Sequence, residues 1–76
     1  MTEEQASEII WLTAINYSLV KDELINIERF RRDLVPEKIE NEELFVEGMK
    51  ILEKKEYIEY RSTEFYLTEL GVANFS

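Results

Sequence analysis

The chain has 76 residues with neither cysteine nor histidine, which excludes disulfides, thiolate or imidazole metal ligands and a histidine base. A hydrophobic content of 45% is enough for one compact core, and we expect a single domain over residues 1–76. The 17 acidic and 9 basic residues give a net charge of −8, which repels nucleic acid and anionic membranes at long range.

The first predicted element is a helix that begins after Thr2, because Thr2 and Gln5 have the spacing of a capping box. A stripe at helical spacing is expected to face the core: Ala6, Ile9, Ile10, Thr13, Ala14 and Tyr17. A second row consists of Trp11, Ile15 and Leu19. One row is sufficient to close a core, so the second predicts an intermolecular surface, most simply a twofold homodimer. The alternative is that the hairpin or Phe75 covers this row.

The longest apolar stretch, Ile9 to Val20, has the features of neither a signal peptide nor a membrane span. Thr13, Asn16 and Ser18 interrupt it, and acidic rather than basic residues precede it. We therefore expect a cytoplasmic protein with no membrane partner.

A very short strand and a short second helix are predicted next. Leu24 and Ile25 favour the strand, and Asn26 is a suitable N-cap for the helix. The side chains on one face of this helix are Ile27, Phe30 and Leu34. Because Pro36 disfavours helix at the preceding residue, the helix should end near Val35.

A third helical pattern runs from Asn41 to about Lys55. Its inward side chains are expected to be Leu44, Phe45, Gly48, Met49 and Leu52. Glycine costs about 1 kcal/mol of helix propensity relative to alanine, which a tight contact with a neighbouring helix can offset. Gly48 therefore predicts a close helix crossing.

After Lys55 the hydrophobic period changes from 3.6 to 2, which predicts a hairpin with strands at 57–60 and 65–67. Thr68 can cap a final helical turn. The aromatic residues of the hairpin are Tyr57, Tyr60, Phe65 and Tyr66. Most of them should pack within the fold, and one exposed tyrosine would be a suitable binding anchor. The main core is expected to include Phe45, Met49, Leu52 and Ile58.

This order of elements resembles the winged helix-turn-helix superfamily. Two runs carry the resemblance: Leu52-Glu53-Lys54-Lys55-Glu56-Tyr57-Ile58 at the entry to the wing and Tyr66-Leu67-Thr68-Glu69-Leu70-Gly71 at its end. The resemblance implies an α+β, mainly α fold: a winged helix with three helices and a short two- or three-stranded wing. Where the family usually has a left-handed glycine, this chain has Glu56. Either the exit geometry differs or Glu56 bears a cost of about 1 kcal/mol or more.

The charges of the third helix disfavour conventional DNA binding. In DNA-binding relatives, exposed residues near the start of this helix enter the major groove. Here the region is acidic and contains Glu37, Glu40, Glu42, Glu43 and Glu47. Carboxylates favour a helix N-terminus, but in this position they would also face the phosphates of the duplex.

The segment Arg29-Phe30-Arg31-Arg32 is the only basic cluster in the sequence. The favoured interpretation is a solvated face paired with Glu28, Asp33 and Glu37. The alternative is an anchor for an acidic protein or for phosphate, which arginine binds bidentately.

We therefore favour an acidic regulatory module that binds a protein partner or a second copy of itself. The candidate partner-binding residues are Trp11, Ile15, Leu19, Arg29, Arg31, Arg32, Glu42, Glu43 and Glu47. One alternative is a DNA-binding transcription regulator that uses Arg29, Arg31, Arg32, Lys50, Lys54 and Lys55, and another is a DNA mimic that presents the glutamate-rich face. No enzyme activity, catalytic residue, cofactor or metal is expected, because the chain lacks a phosphate-binding glycine motif and a calcium loop.

Overall fold

A computed structural model describes residues 1–18 and 23–75 of the chain. Their elements, in order, are α1 (Glu3–Tyr17), β1 (Ile25–Asn26), α2 (Ile27–Leu34), α3 (Glu42–Lys54), β2 (Ile58–Arg61), β3 (Glu64–Leu67) and α4 (Glu69–Phe75). The fold is α+β and mainly helical. The described part has four helices instead of the expected three, because the final turn predicted after Thr68 extends into α4.

Each helix begins at a polar side chain that accepts a hydrogen bond from a free backbone N–H of the first turn. Thr2 and Gln5 form the predicted capping box of α1. Asn26 Oδ1 and Asn41 Oδ1 each accept a bond of 2.9 Å at the starts of α2 and α3. Thr68 Oγ1 accepts one of 3.0 Å at the start of α4. The helix starts are therefore set by local sequence.

The helices α1 and α3 cross closely at Gly48, as the sequence predicts. A Cβ atom at this position would lie 2.7 Å from Ile10 Cδ1 and 3.1 Å from the backbone nitrogen of Ser7. Since real Cβ atoms essentially never approach within 3.0 Å of another heavy atom, the crossing has no room for a larger residue in its present geometry.

The three strands form one antiparallel sheet in the order β1-β3-β2. Ile25 pairs with Phe65 at one side of β3, and Ile58 pairs with Leu67 at the other. Ser62, with φ of 60°, is the first residue of the two-residue turn between β2 and β3. A positive φ at that position is what a type II′ hairpin turn requires. In this sheet β2 is an edge strand.

The core lies between the helices and the inward face of the sheet, with Phe30 at 0% exposure. The four predicted core residues are all buried: Phe45, Met49, Leu52 and Ile58. Ile39, between α2 and α3, is buried as well, although the helical patterns did not predict it. Its backbone N–H donates to the carbonyl oxygen of Leu34 at 2.9 Å, which folds the connection onto the end of α2.

Glu56 occupies the position of a C-terminal helix cap in the left-handed region, with φ of 64°. The Tyr57 N–H donates to the Leu52 carbonyl at 3.0 Å, and the Glu56 N–H donates to the Glu53 carbonyl at 2.9 Å. These two bonds are those of a Schellman motif, which usually has glycine at this position. Of the two alternatives raised by the sequence, the structure shows the second: Glu56 itself adopts the left-handed conformation and bears the steric cost.

The Glu56→Gly substitution is expected to stabilise the domain by about 0.5 to 1 kcal/mol. Removal of the Cβ relieves about 1 to 2 kcal/mol of left-handed strain, and the greater freedom of glycine in the unfolded chain offsets part of this. Urea denaturation monitored by circular dichroism gives the change. Glu56→Ala is the matched control, because it removes the same charge but keeps the Cβ. An equal stabilisation by alanine would contradict the strain interpretation.

Candidate functional site

The second apolar row of α1 does not form the exposed surface that the sequence predicts. Ile15 is 4% exposed and belongs to the core. Trp11 is half-buried, with its ring centroid 5.3 Å from that of Tyr57. A Cβ at Gly71 would lie 2.6 Å from Trp11 Cη2, so α4 passes directly over the indole. Ile15 is therefore a core residue rather than part of an exposed surface, and α4 and the segment before β2 partly cover Trp11. An intermolecular role of Trp11 stays a prediction. Leu19 lies outside the described residues.

The basic cluster of α2 is engaged mainly with glutamates. Arg31 is bonded through Nη1 to Glu42 Oε1 at 2.8 Å and through Nη2 to Glu28 Oε1 at 3.1 Å, which links α2 to the start of α3. Arg32 lies 3.9 Å from Glu28. Arg29 is exposed and lines a separate concavity near β1. The paired interpretation of this cluster is supported for Glu28, and Glu42 is a further partner that the sequence does not indicate.

The lysines of the DNA-binding alternative are exposed on α3 and just after it, and two of them have carboxylate neighbours. Lys50 Nζ is 3.5 Å from Glu47, and Lys55 Nζ is 4.0 Å from Glu4 of α1. Lys54 is exposed in the last turn of α3. Surface ion pairs contribute little stability, but each reduces the positive charge available to a phosphate.

The glutamates proposed for partner binding lie along the first half of α3. Glu42 and Glu47 are held in the ion pairs with Arg31 and Lys50. Glu43 is exposed in the first turn, where a carboxylate favours the positive end of the helix dipole. The structure does not bring these glutamates together with Trp11 or Ile15 into one site.

A concave apolar surface, the apolar groove, lies between α3, the start of α2 and β2. Its volume is about 230 Å³. It is lined by Ile27, Phe45, Val46, Met49, Lys50, Glu53 and Tyr60. Val46 is 46% exposed and Tyr60 is 40% exposed, whereas Phe45 and Met49 form the buried floor. The groove is therefore an accessible extension of the core surface.

Tyr60 lies in the groove because of the two-residue period of β2. It is on the same face of the strand as buried Ile58, and its cross-strand partner is buried Phe65. The inward face of β2 thus extends past the core, and Tyr60 remains accessible at the margin of the core. Burial raises the pKa of the Tyr60 phenol, and the charge of Glu53 raises it further. The hydroxyl therefore stays protonated at neutral pH and is available as a donor.

A second concavity, the acidic cleft, follows the edge of β2. Its volume is about 480 Å³, and it is lined by Glu53, Glu56, Ile58, Glu59, Tyr60 and Thr68. Glu59 accepts a hydrogen bond of 2.6 Å from the Tyr66 hydroxyl. Among the described residues, no group of three or more acidic side chains could hold a metal ion. Glu53, Glu56 and Glu59 make the cleft an acidic surface.

An exposed hairpin tyrosine is a feature that the sequence indicates, whereas the groove is not. Val46 carried a usable signal, since it is an apolar residue that lies outside the inward row of α3 and next to Glu47 in the sequence. Tyr60 carried another, because the strand period places it inward. Neither signal shows by itself that the two side chains line one cavity.

Comparison with known proteins gives no function to carry over to this chain. No family model, curated protein or solved structure matches it. In residues 1–18 and 23–75, no helix is both long enough and apolar enough to cross a membrane. A functional conclusion therefore depends on the surface features of the chain itself.

Proposed function

We propose that this chain is a winged-helix domain that acts as a regulatory protein-binding module through the apolar groove. The order of helices and strands supports the winged-helix assignment, as does the pairing of β1 with the hairpin in one small sheet. The binding role rests on the same helix, α3, through which DNA-binding relatives contact the major groove. In this chain α3 contributes an apolar surface to the groove.

The observation that carries the proposal is the accessibility of Val46 and Tyr60 in one concave surface. Both side chains line the groove above the buried Phe45 and Met49. A concave surface with aromatic and aliphatic walls can enclose an apolar side chain of a partner and remove it from water. Tyrosine is among the residues that contribute most to interface affinity, and its protonated hydroxyl adds a hydrogen-bond donor.

The charge distribution favours a protein over duplex DNA as the partner. Glu43 and Glu47 lie on the half of α3 that would face the phosphates. Arg31 and Lys50, which a DNA-binding surface would use, are bonded to carboxylates of the same chain. A duplex would have to displace these glutamates while its own charge repels them.

Selection from a phage-displayed random peptide library is expected to yield a consensus sequence that binds the immobilised protein. Val46→Asp should abolish binding of the selected peptides, because it places a charge inside the groove. Leu12→Asp is the matched control and should retain binding. Leu12 is a helical residue that is 57% exposed and does not line the groove. Circular dichroism should show that both variants remain folded.

The same preparation should bind duplex DNA at physiological salt no more tightly than the non-specific range of about 10⁻⁴ to 10⁻⁶ M. A sequence-specific complex in the nanomolar range would support the transcription-regulator alternative instead. Peptides that bind Val46→Asp as tightly as the wild type would contradict the groove as the binding site.

A further inference from the structure

We propose that the segment bound in the groove is basic, with an apolar side chain in the apolar groove followed by lysine or arginine in the acidic cleft. This inference rests on the proposed function and adds the chemistry of the partner. It depends on how the two concavities are joined and on the charges of their walls.

The apolar groove and the acidic cleft are adjacent, because Glu53 and Tyr60 line both. A partner segment that places a side chain beside Val46 and Tyr60 can therefore continue past Glu53 toward the edge of β2. An extended segment advances about 3.3 Å per residue, so a few residues are enough to pass from one concavity into the other. One short segment can occupy both.

The walls of the acidic cleft are complementary to cations. Glu53, Glu56 and Glu59 line it, and no described basic side chain is among its lining residues. Lys50, which lines the apolar groove, lies 3.5 Å from Glu47. Carboxylates bind arginine through paired hydrogen bonds and lysine through single ones. The net charge of −8 also steers a basic segment toward the domain.

A second copy of this chain is a poor occupant of the same surface. Two copies would each bring a net charge of −8 to an interface already lined with glutamates. The only basic cluster of the chain lies on α2, where Arg31 is bonded to Glu28 and Glu42. Insertion of Arg31 from another copy would require these bonds to break, whereas a separate basic segment brings cations that are not held by such bonds.

Fluorescence anisotropy with three labelled peptides of equal length tests the inference. One peptide contains leucine and lysine, one leucine and glutamate, and one serine and lysine. The wild-type domain should bind the leucine–lysine peptide at least about tenfold more tightly than either of the others, because it alone satisfies both concavities. Tyr60→Ser should reduce this preference for leucine over serine.

The double substitution Glu53→Gln/Glu56→Gln should weaken the leucine–lysine complex about five- to tenfold and reduce its dependence on salt. Asp33→Asn/Glu37→Gln is the matched control. It removes the same number of charges from exposed residues that line neither concavity, so it should leave the affinity nearly unchanged. Equal weakening by both pairs would show attraction to net charge alone and would overturn the assignment of the cleft.

The possible failures can be told apart. If the leucine–lysine and leucine–glutamate peptides bind equally and Val46→Asp abolishes both, the groove binds protein but the basic partner is wrong. If no peptide binding depends on Val46, the proposed function itself fails. Light scattering that shows a dimer disrupted by Val46→Asp would assign the groove to a second copy and overturn the inference.

Discussion

Phe30→Ala is expected to lower the free energy of unfolding by about 3 to 5 kcal/mol. Phe30 is 0% exposed, and its ring lies 5.3 Å from Tyr17, 6.1 Å from Phe45 and 5.2 Å from Phe65, measured between centroids. These contacts join α2 to α1, α3 and the sheet. Removal of the Phe30 ring therefore leaves a cavity bordered by α1, α3 and the sheet. Small domains have only about 5 to 15 kcal/mol of total stability, so a large fraction of this would be lost.

Urea denaturation monitored by circular dichroism measures the effect. Leu12→Ala is the control, since it also truncates a large apolar residue in a helix, but at an exposed position. Its effect should stay within about 0.5 kcal/mol. Similar losses in the two variants would mean that Phe30 does not occupy the central position described above.

Gly48→Val is expected to destabilise the domain by about 3 kcal/mol, at the upper end of the usual cost of overpacking. Valine adds a branched side chain where even a Cβ would lie 2.7 Å from Ile10 Cδ1 and 3.2 Å from the Ala6 carbonyl carbon. Two of the three nearest atoms belong to the backbone of α1, so the helices must separate. The gain in helix propensity over glycine, less than about 1 kcal/mol, is too small to compensate.

A double-mutant cycle identifies the crossing as the cause. Ile10→Val removes the Cδ1 atom that a new Cβ would meet first, and alone it should cost about 0.5 to 1.5 kcal/mol. Combined with Gly48→Ala, it should cost less than in the wild type, because it relieves the contact. Thermal melts of the four proteins give the coupling. Strictly additive effects would contradict a direct clash between residues 10 and 48.

Features that depend on local sequence were predictable. Thr2, Asn26 and Thr68 cap helices where their side chains suggested, because a cap needs only residues within its own first turn. The register of α3 was also predictable, since its apolar spacing repeats over several turns. Gly48 predicted the crossing because glycine is unfavourable within a helix unless a neighbouring helix leaves no room for a side chain.

Features that depend on packing between distant segments were not predictable from these patterns. Ile15 and Trp11 formed a regular apolar row, but the sequence did not show that α4 would fold back across it. Ile39 has no periodic neighbours, so its burial follows only from the path of the connection after Leu34.

The candidate site likewise combines one feature set by local sequence with one set by packing between distant segments. The two-residue strand period puts Tyr60 on the same face as Ile58, which follows from the sequence alone. How far the core extends beneath that face depends on where α3 lies against β2. Val46 and Tyr60 are therefore brought together by tertiary geometry that neither local pattern specifies.

The position of Trp11 has an optical consequence. It is the single tryptophan of the chain, and its indole lies between Tyr57 and the backbone of α4 at Gly71. Emission excited selectively at the indole therefore reports the environment of one location. Ellipticity in the far ultraviolet, in contrast, averages over all four described helices. A shift of the emission maximum to longer wavelength before any loss of ellipticity would mark the departure of α4 from α1 as a separate, earlier event. The wild-type protein thus carries its own probe of local opening at the carboxyl-terminal helix.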